Sequence, residues 1–207
     1  MSTALFIIDV QNDFTEGGAL GVEGGAAVAA GVSALLAKHP DAYDHVFASR
    51  DWHDAGNDNG GHFSDTPDFV DTWPRHCVAE SPGSDYHPAL DFEKVTVHVR
   101  KGQGVPAYSI FEGTTDDGTS VADKLDELGV LNIDIVGIAT DHCVRASGLG
   151  ALEHGRHVRV FTDLIAGVAA EPSEAALAEL GHAGAEIVTS DVLDASDDAA
   201  AAGTQSV

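Results

Sequence analysis

Apolar and polar positions along this chain switch between two periods. Six short runs are nearly continuous in apolar or β-branched residues: ALFIID at 4–9, HVFASR at 45–50, VTVHVR at 95–100, IDIVGI at 133–138, HVRVFTD at 157–163 and EIVTS at 186–190. Runs of that length predict strands buried on both faces, as in a parallel sheet. Stretches at the helical period separate several of them. Residues 23–39 are Ala-rich with apolar side chains at helical spacing, and 120–129 reads SVADKLDELG, with Thr119 or Ser120 to cap it and Gly129 to end it. A further helix follows the 133–138 strand, and another spans 173–184 with Pro172 just before it. Strands joined by helices imply right-handed crossovers and helices on both sheet faces. The expected fold is three-layer α/β/α with a six-stranded parallel sheet, in one domain over residues 1–190.

Two segments break the pattern. Residues 51–92 show no sustained period and are rich in Asp, Gly, His, Pro and aromatics. A loop this long inside a compact domain is functional or disordered, and its two tryptophans and several histidines favour function. Residues 191–207 are rich in Ala, Asp and Ser and read as a mobile acidic tail.

Charge narrows the partners. The formal net charge is −24, with lysine only at Lys38, Lys94, Lys101 and Lys124. Nucleic acid and anionic membranes need a basic footprint, so neither is expected. Such an acidic excess suits a salt-rich cytoplasm, where self-repulsion is screened. Two cysteines make no disulfide framework, and the apolar N-terminal run is interrupted by Asp9 without a basic leader. No stretch approaches a membrane span. The expectation is a cytoplasmic protein, as a monomer or homo-oligomer.

Ligands of parallel sheets bind outside the carboxyl ends of the strands. Asp9, Lys101 and Cys143 fall at three such ends, and HVFASR delivers Asp51 and His53 at a fourth. Read alone, Cys143 is a small buried hydrophobe as readily as a nucleophile. Its place at a helix start would stabilise a thiolate, and Lys101 on the same rim would add to that. Asp9 ends an apolar strand, where a carboxylate needs a partner; it is either a turn aspartate or a base for the thiol. Asp51, His53, His62 and His76 offer imidazole and carboxylate ligands suited to zinc, iron or manganese, although with eleven histidines a chance cluster is the competing reading. His142, next to Cys143, reads as a residue that shapes the pocket.

Taken together the motifs resemble a known family. DVQNDF at 9–14, EGGAL at 16–20, SRDWH at 49–53, GGHFS at 60–64 and TWPRHCV at 72–78 stand in the order found in nicotinamidases. RKGQGVPAYSIFEG at 100–113, GIATDHCVRASG at 137–148 and DLIAGV at 163–168 continue the match. The chain is similar to the nicotinamidase/pyrazinamidase group of isochorismatase-like cysteine hydrolases, over residues 3–190. The resemblance implies the isochorismatase-like fold with a metal-binding loop insert, and hydrolysis of nicotinamide to nicotinate through a cysteine thioester. It implies Asp9, Lys101 and Cys143 as the triad, and one divalent ion on Asp51, His53, His62 and His76. It implies a cis peptide between Ile138 and Ala139, and a substrate pocket of Phe14, Trp73 and Tyr108 closed by Leu20. Isochorismatase-type and N-carbamoyl amidohydrolase relatives fit less well. The first lack the cysteine and the second usually lack the metal set.

Overall fold

The computed structural model describes residues 2–195. Strand β1 (Ser2–Ile8) is the centre of the sheet, and its residues 4–8 are fully buried. Successive side chains of a strand point to opposite faces, and β1 divides its side chains accordingly. Ala4, Phe6 and Ile8 enter one core and Leu5 and Ile7 the other. Burying each large apolar side chain contributes about 1.5–3 kcal/mol, so this strand anchors both layers.

Helix α1 (Gly25–Lys38) covers the second face, through Val28, Val32, Leu35 and Leu36. Its N-cap, Gly24, has no side chain to offer. The Glu16 carboxylate substitutes, accepting the N–H groups of Gly24 and Ala26 at 2.7 and 2.9 Å. Strands β2 (His45–Asp51) and β3 (Val97–Lys101) extend the sheet to one side. The two-residue β4 (Thr114–Thr115) lies antiparallel on β3 at the edge. Helix α2 (Val121–Glu127) is capped by Ser120, as its sequence suggests. Strand β5 (Val130–Ile138) pairs with β1 on the other side. A π-helical turn (Thr140–Val144) leads into α3 (Arg145–Glu153), followed by β6 (His157–Ala166), α4 (Ala170–Ala183) and β7 (Glu186–Val188). Helices α2, α3 and α4 cover the first face through Leu125, Ala151 and Leu180.

The strand order is β4-β3-β2-β1-β5-β6-β7, with every pairing parallel except β3–β4. Among the described residues the sheet therefore has seven strands rather than six. The additional one is too short, and too polar as Thr114–Thr115, to carry a period-2 signal. Helix α4 begins at Ala170, so Pro172 lies in its first turn instead of ahead of it. Proline is tolerated there because those N–H groups have no helical acceptor. The first residues of the tail expected at 191–207 are packed on the fold. Asp191 and Val192 lead to Leu193, which is buried in the α1-side core, and residues 196–207 lie outside the described residues.

The chain leaves β1 toward β2 and β3, then returns to the far side of β1 with β5. The order of strands thus reverses between β1 and β5, the position where open α/β sheets form a binding crevice. Asp9 follows β1 and Cys143 follows β5, so both sit at this crevice.

Candidate active site

Four strand ends deliver the site. Asp9 follows β1 with φ of 48°, a left-handed conformation unusual outside glycine that turns the chain out of the sheet. Its carboxylate accepts the Ser49 hydroxyl at 2.7 Å, and its own N–H donates to that hydroxyl at 3.3 Å. Lys101 is the last residue of β3 and lies in register with Asp51, the last of β2. Its ammonium meets Asp9 Oδ2 at 2.9 Å, the Asp51 carboxylate, and Cys143 Sγ at 3.7 Å. Asp9, Lys101, Asp51 and Cys143 are all buried. The structure brings together the triad expected from the sequence, with Asp51 as a fourth member that bridges Lys101 to the histidines.

The electrostatics follow from burial and from these neighbours. Burial alone would lower the Lys101 pKa, but Asp51, Asp9 and Cys143 more than reverse that and hold it well above its usual value. Burial would raise Asp51, yet the Lys101 ammonium beside it holds it well below the carboxylate range. Asp9 goes the other way. Burial raises it, the negative Asp51 adds to the rise, and Lys101 only partly opposes them.

Cys143 departs from the expectation of a thiolate favoured at a helix start. Burial, with Asp9 and Asp51 adding, pushes its thiol well above the usual value despite Lys101. Its local structure contributes to this. Cys143 is the fourth residue of the π-helical turn, two residues before the regular helix begins, and it faces two carboxylates. This direction favours the protonated thiol in the company of Asp9 and Asp51. The Ile138–Ala139 peptide is cis, matching the resemblance, and Ala139 lines the pocket beside Cys143.

The insert brings three histidines to the same rim. His53 N–H donates to Cys77 O at 3.0 Å and Ala79 N–H to His53 O at 2.9 Å, which pins the β2 extension against the segment carrying His76. Trp73 N–H donates to His62 O at 2.8 Å and so ties the third histidine to the same unit. The Asp13 carboxylate holds Cys77 N–H at 2.7 Å. Ligand atoms of His53, His62 and His76 lie within 4.8 Å of one another, and all three residues are buried. Asp51 Oδ2 is 3.5 Å from His53 Nε2 and 3.7 Å from His76 Nε2.

The donor set suits a metal. His53 Nδ1 meets Gly102 O at 2.8 Å and His76 Nδ1 meets Pro74 O at 2.7 Å. Backbone carbonyls accept only from a protonated nitrogen, so each ring presents the lone pair of its Nε2 inward, the outer-shell arrangement of histidine ligands. His53 Nε2 and His62 Nδ1 are buried without a hydrogen-bond partner among the described residues. Burial first, and then His53 and His76, lower the His62 pKa to about 4, so its imidazole is neutral at neutral pH. Buried imidazoles grouped beside an ionised carboxylate suit a single metal cation.

A pocket of about 370 Å³ opens over both clusters. Cys143, Ala139, Asp51, His62 and His76 reach its floor. Phe14, Leu20, Trp73, Tyr108 and His142, the expected substrate residues, all line its walls. Trp73 Nε1 donates to the Tyr108 hydroxyl at 3.0 Å, and the His142 ring stands edge-on to Trp73 with centroids 5.4 Å apart. Asp9, Lys101, Ile138 and His53 stand behind the lining. Several contributors were not assigned from the sequence, Ser49, Phe69 and Val168 among them. Ser49 orients Asp9, and its signal was its place two residues before Asp51 on one strand face. Phe69 and Val168 complete the apolar rim; Val168 ends the DLIAGV motif without having been assigned to the pocket, and no local pattern marks Phe69.

An isochorismatase-domain family model matches residues 3–192. The chain belongs to the isochorismatase family. Among similar members of that family, the nicotinamidase/pyrazinamidase of Mycobacterium tuberculosis is 49% identical over 187 residues, covering 90% of this chain and 98% of that one. The pyrazinamidase of Pyrococcus horikoshii, solved in complex with zinc, superposes with a TM-score of 0.77 at 36% identity, covering 91% of this chain and 99% of that one. PnC1 from L. infantum, solved in complex with nicotinate, gives a TM-score of 0.79 at 32% identity, over 92% of this chain and 93% of that one.

Proposed function

We propose that this isochorismatase-family chain is a nicotinamidase. It hydrolyses nicotinamide to nicotinate and ammonia, and acts on pyrazinamide as well, as a step of NAD salvage in the cytoplasm. The observation that carries this reading is the Lys101 ammonium touching both Asp9 and Cys143 beneath an aromatic pocket that also holds the histidine cluster. Similarity to the enzymes named above supports it.

Asp9, with its raised pKa, takes the Cys143 proton, and Lys101 balances the charge that shifts between them. The thiolate attacks the carboxamide carbon. The N–H groups of Ala139 and Cys143 receive the oxyanion; a donor of this kind contributes about 3 kcal/mol to lowering the barrier. Asp9 returns the proton to the departing ammonia, then serves as base for the water that cleaves the thioester to nicotinate. Phe14, Trp73 and Tyr108 hold the planar ring, with Leu20 closing over it and His142 bracing Trp73. Asp51, His53, His62 and His76 would hold one divalent ion of zinc, iron or manganese. When bound, it supplies a Lewis-acidic seat for the ring nitrogen and so orients the amide. Asp51 serves two groups, since its other oxygen fixes Lys101.

Ammonia release from nicotinamide, before and after chelation and metal add-back, tests the reading. The expected result is activity lost with the metal and restored by it. No ammonia from any pyridine or pyrazine carboxamide by metal-loaded protein would rule the activity out.

A further inference from the structure

The opposite face of the same two strand ends carries a second charged cluster. Arg50 and Arg100 immediately precede Asp51 and Lys101, and they are direct register partners on β2 and β3. Side-chain alternation therefore places both guanidinium groups together, away from the catalytic residues. Like charges directly opposite one another on adjacent strands are destabilising.

Their surroundings make the pairing more unusual. The chain has 34 acidic and 10 basic side chains, so a carboxylate partner is easily found. Lys38, Lys101, Lys124, Arg145, Arg156 and Arg159 each have one. Arg50 has none among the described residues, and Arg100 has only Asp116 at 3.4 Å, in a pair whose side chains are 39% and 55% exposed. Such exposed pairs hold little energy. The Nε–H of both arginines is buried without an acceptor among the described residues. Arg50 does reach the Tyr86 hydroxyl, which otherwise donates to Ala48 O at 3.2 Å or pairs with His98 Nδ1 at 3.0 Å.

What holds the two charges in place is aromatic. Phe92 stacks on Tyr86 with centroids 5.8 Å apart, and Arg50 lies 4.6 Å from the Tyr86 ring and 4.8 Å from Trp52. Arg100 lies 4.9 Å from the same Trp52 ring. Stacking occupies the faces of a guanidinium and leaves its in-plane N–H donors available, so the column presents two pre-oriented forks. His98, on the same face, reports the local field. Its pKa is lowered by burial first, and Arg50 and Arg100 add to the fall against Asp116. A protein of net charge −24 thus holds a positive spot at this edge of its sheet.

We propose that the Arg50–Arg100 edge is a binding site for a phosphate-type oxyanion, either free or as the terminal group of a phosphomonoester. Two planar forks with spare donors match the several acceptor oxygens of a phosphate. The site stands apart from the amide-hydrolysing pocket and does not depend on that assignment.

The test is calorimetric titration of inorganic phosphate, and separately of phenyl phosphate, into metal-loaded protein at constant KCl. The expected result is one saturable site per chain, weakened about tenfold or more by Arg50→Gln and again by Arg100→Gln. The paired Arg50→Lys and Arg100→Lys variant keeps charge and stem but loses the fork, so it too binds more weakly even if the Gln variants fold poorly. Either order of the two affinities supports the site and identifies whether the free or the esterified group is the better occupant. No saturable binding beyond that of chloride would overturn the proposal. So would phosphate binding that all four substitutions leave unchanged, which would place the anion elsewhere, such as at the metal ligands.

Discussion

At the residue scale the site depends on positions whose chemistry is local but whose partners are distant. Cys143, Lys101 and Asp9 were legible as strand-end residues, because a buried strand that ends in a charged or nucleophilic side chain stands out against its apolar run. Ser49 was not, because a serine on a buried strand looks ordinary until the Asp9 carboxylate is found 2.7 Å from it. The direction of the Cys143 shift was also hidden. It depends on burial between two carboxylates, which no linear spacing reports. Gly102 shows how tight the histidine shell is. It follows Lys101 with φ of +78°, and a Cβ there would stand 2.5 Å from His53 Cε1. Gly102→Ala should therefore tilt the ring off its carbonyl and weaken metal affinity about 10–100-fold, the usual effect of losing an outer-shell contact. Metal content after dialysis against a graded chelator series measures this, and unchanged retention would contradict the assigned role of His53.

At the element scale the parallel strands and most helix positions were readable from period and capping. The β1/β5 reversal that positions the crevice was not, because strand order is set by long-range pairing. Strand β4 and the Pro172 turn escaped for a simpler reason: two threonines and one proline carry too little pattern to place an element. The π-helical turn and α4 are joined by Asp141, whose carboxylate accepts Val168 N–H at 3.0 Å and Ala169 N–H at 3.2 Å and meets His142 Nδ1 at 3.2 Å. Burial would raise its pKa, but His142 and the Val168 N–H outweigh that and hold it below the usual value. A carboxyl depressed in the folded state adds stability that is fully present above its unfolded value of about 4 and lost as pH falls through the folded value. Asp141→Asn should cost about 1–2 kcal/mol at neutral pH. The gap to wild type should narrow as pH drops to about 3 and below. Urea midpoints at both pH values measure it; a gap that widens in acid would show that the Asp141 charge is not the stabilising feature.

At the scale of the whole molecule, charge and chemistry make separate demands. The net charge of −24 on 207 residues was plain in the sequence, and its consequence is self-repulsion in the folded state. Between about 0.01 M and about 1 M salt the screening length falls from about 30 Å to about 3 Å. The melting temperature should rise steadily with KCl over that range, and a flat or falling curve would remove screening as a source of stability. No helix among the described residues is long and apolar enough to cross a membrane. The proposed chemistry requires the four strand ends to act as one unit, with Asp9 and Lys101 preparing a thiol that burial otherwise keeps protonated. The most direct test of that claim is rapid-quench mass spectrometry of metal-loaded protein mixed with nicotinamide, run beside Cys143→Ala. The account predicts a nicotinoyl group on the peptide that contains Cys143, formed at a rate that supports turnover. It also predicts a Cys143→Ala protein that keeps its metal but loses at least about 10⁴-fold in rate. Steady release of ammonia with no acylated Cys143, or a Cys143→Ala variant of near-normal rate, would contradict it.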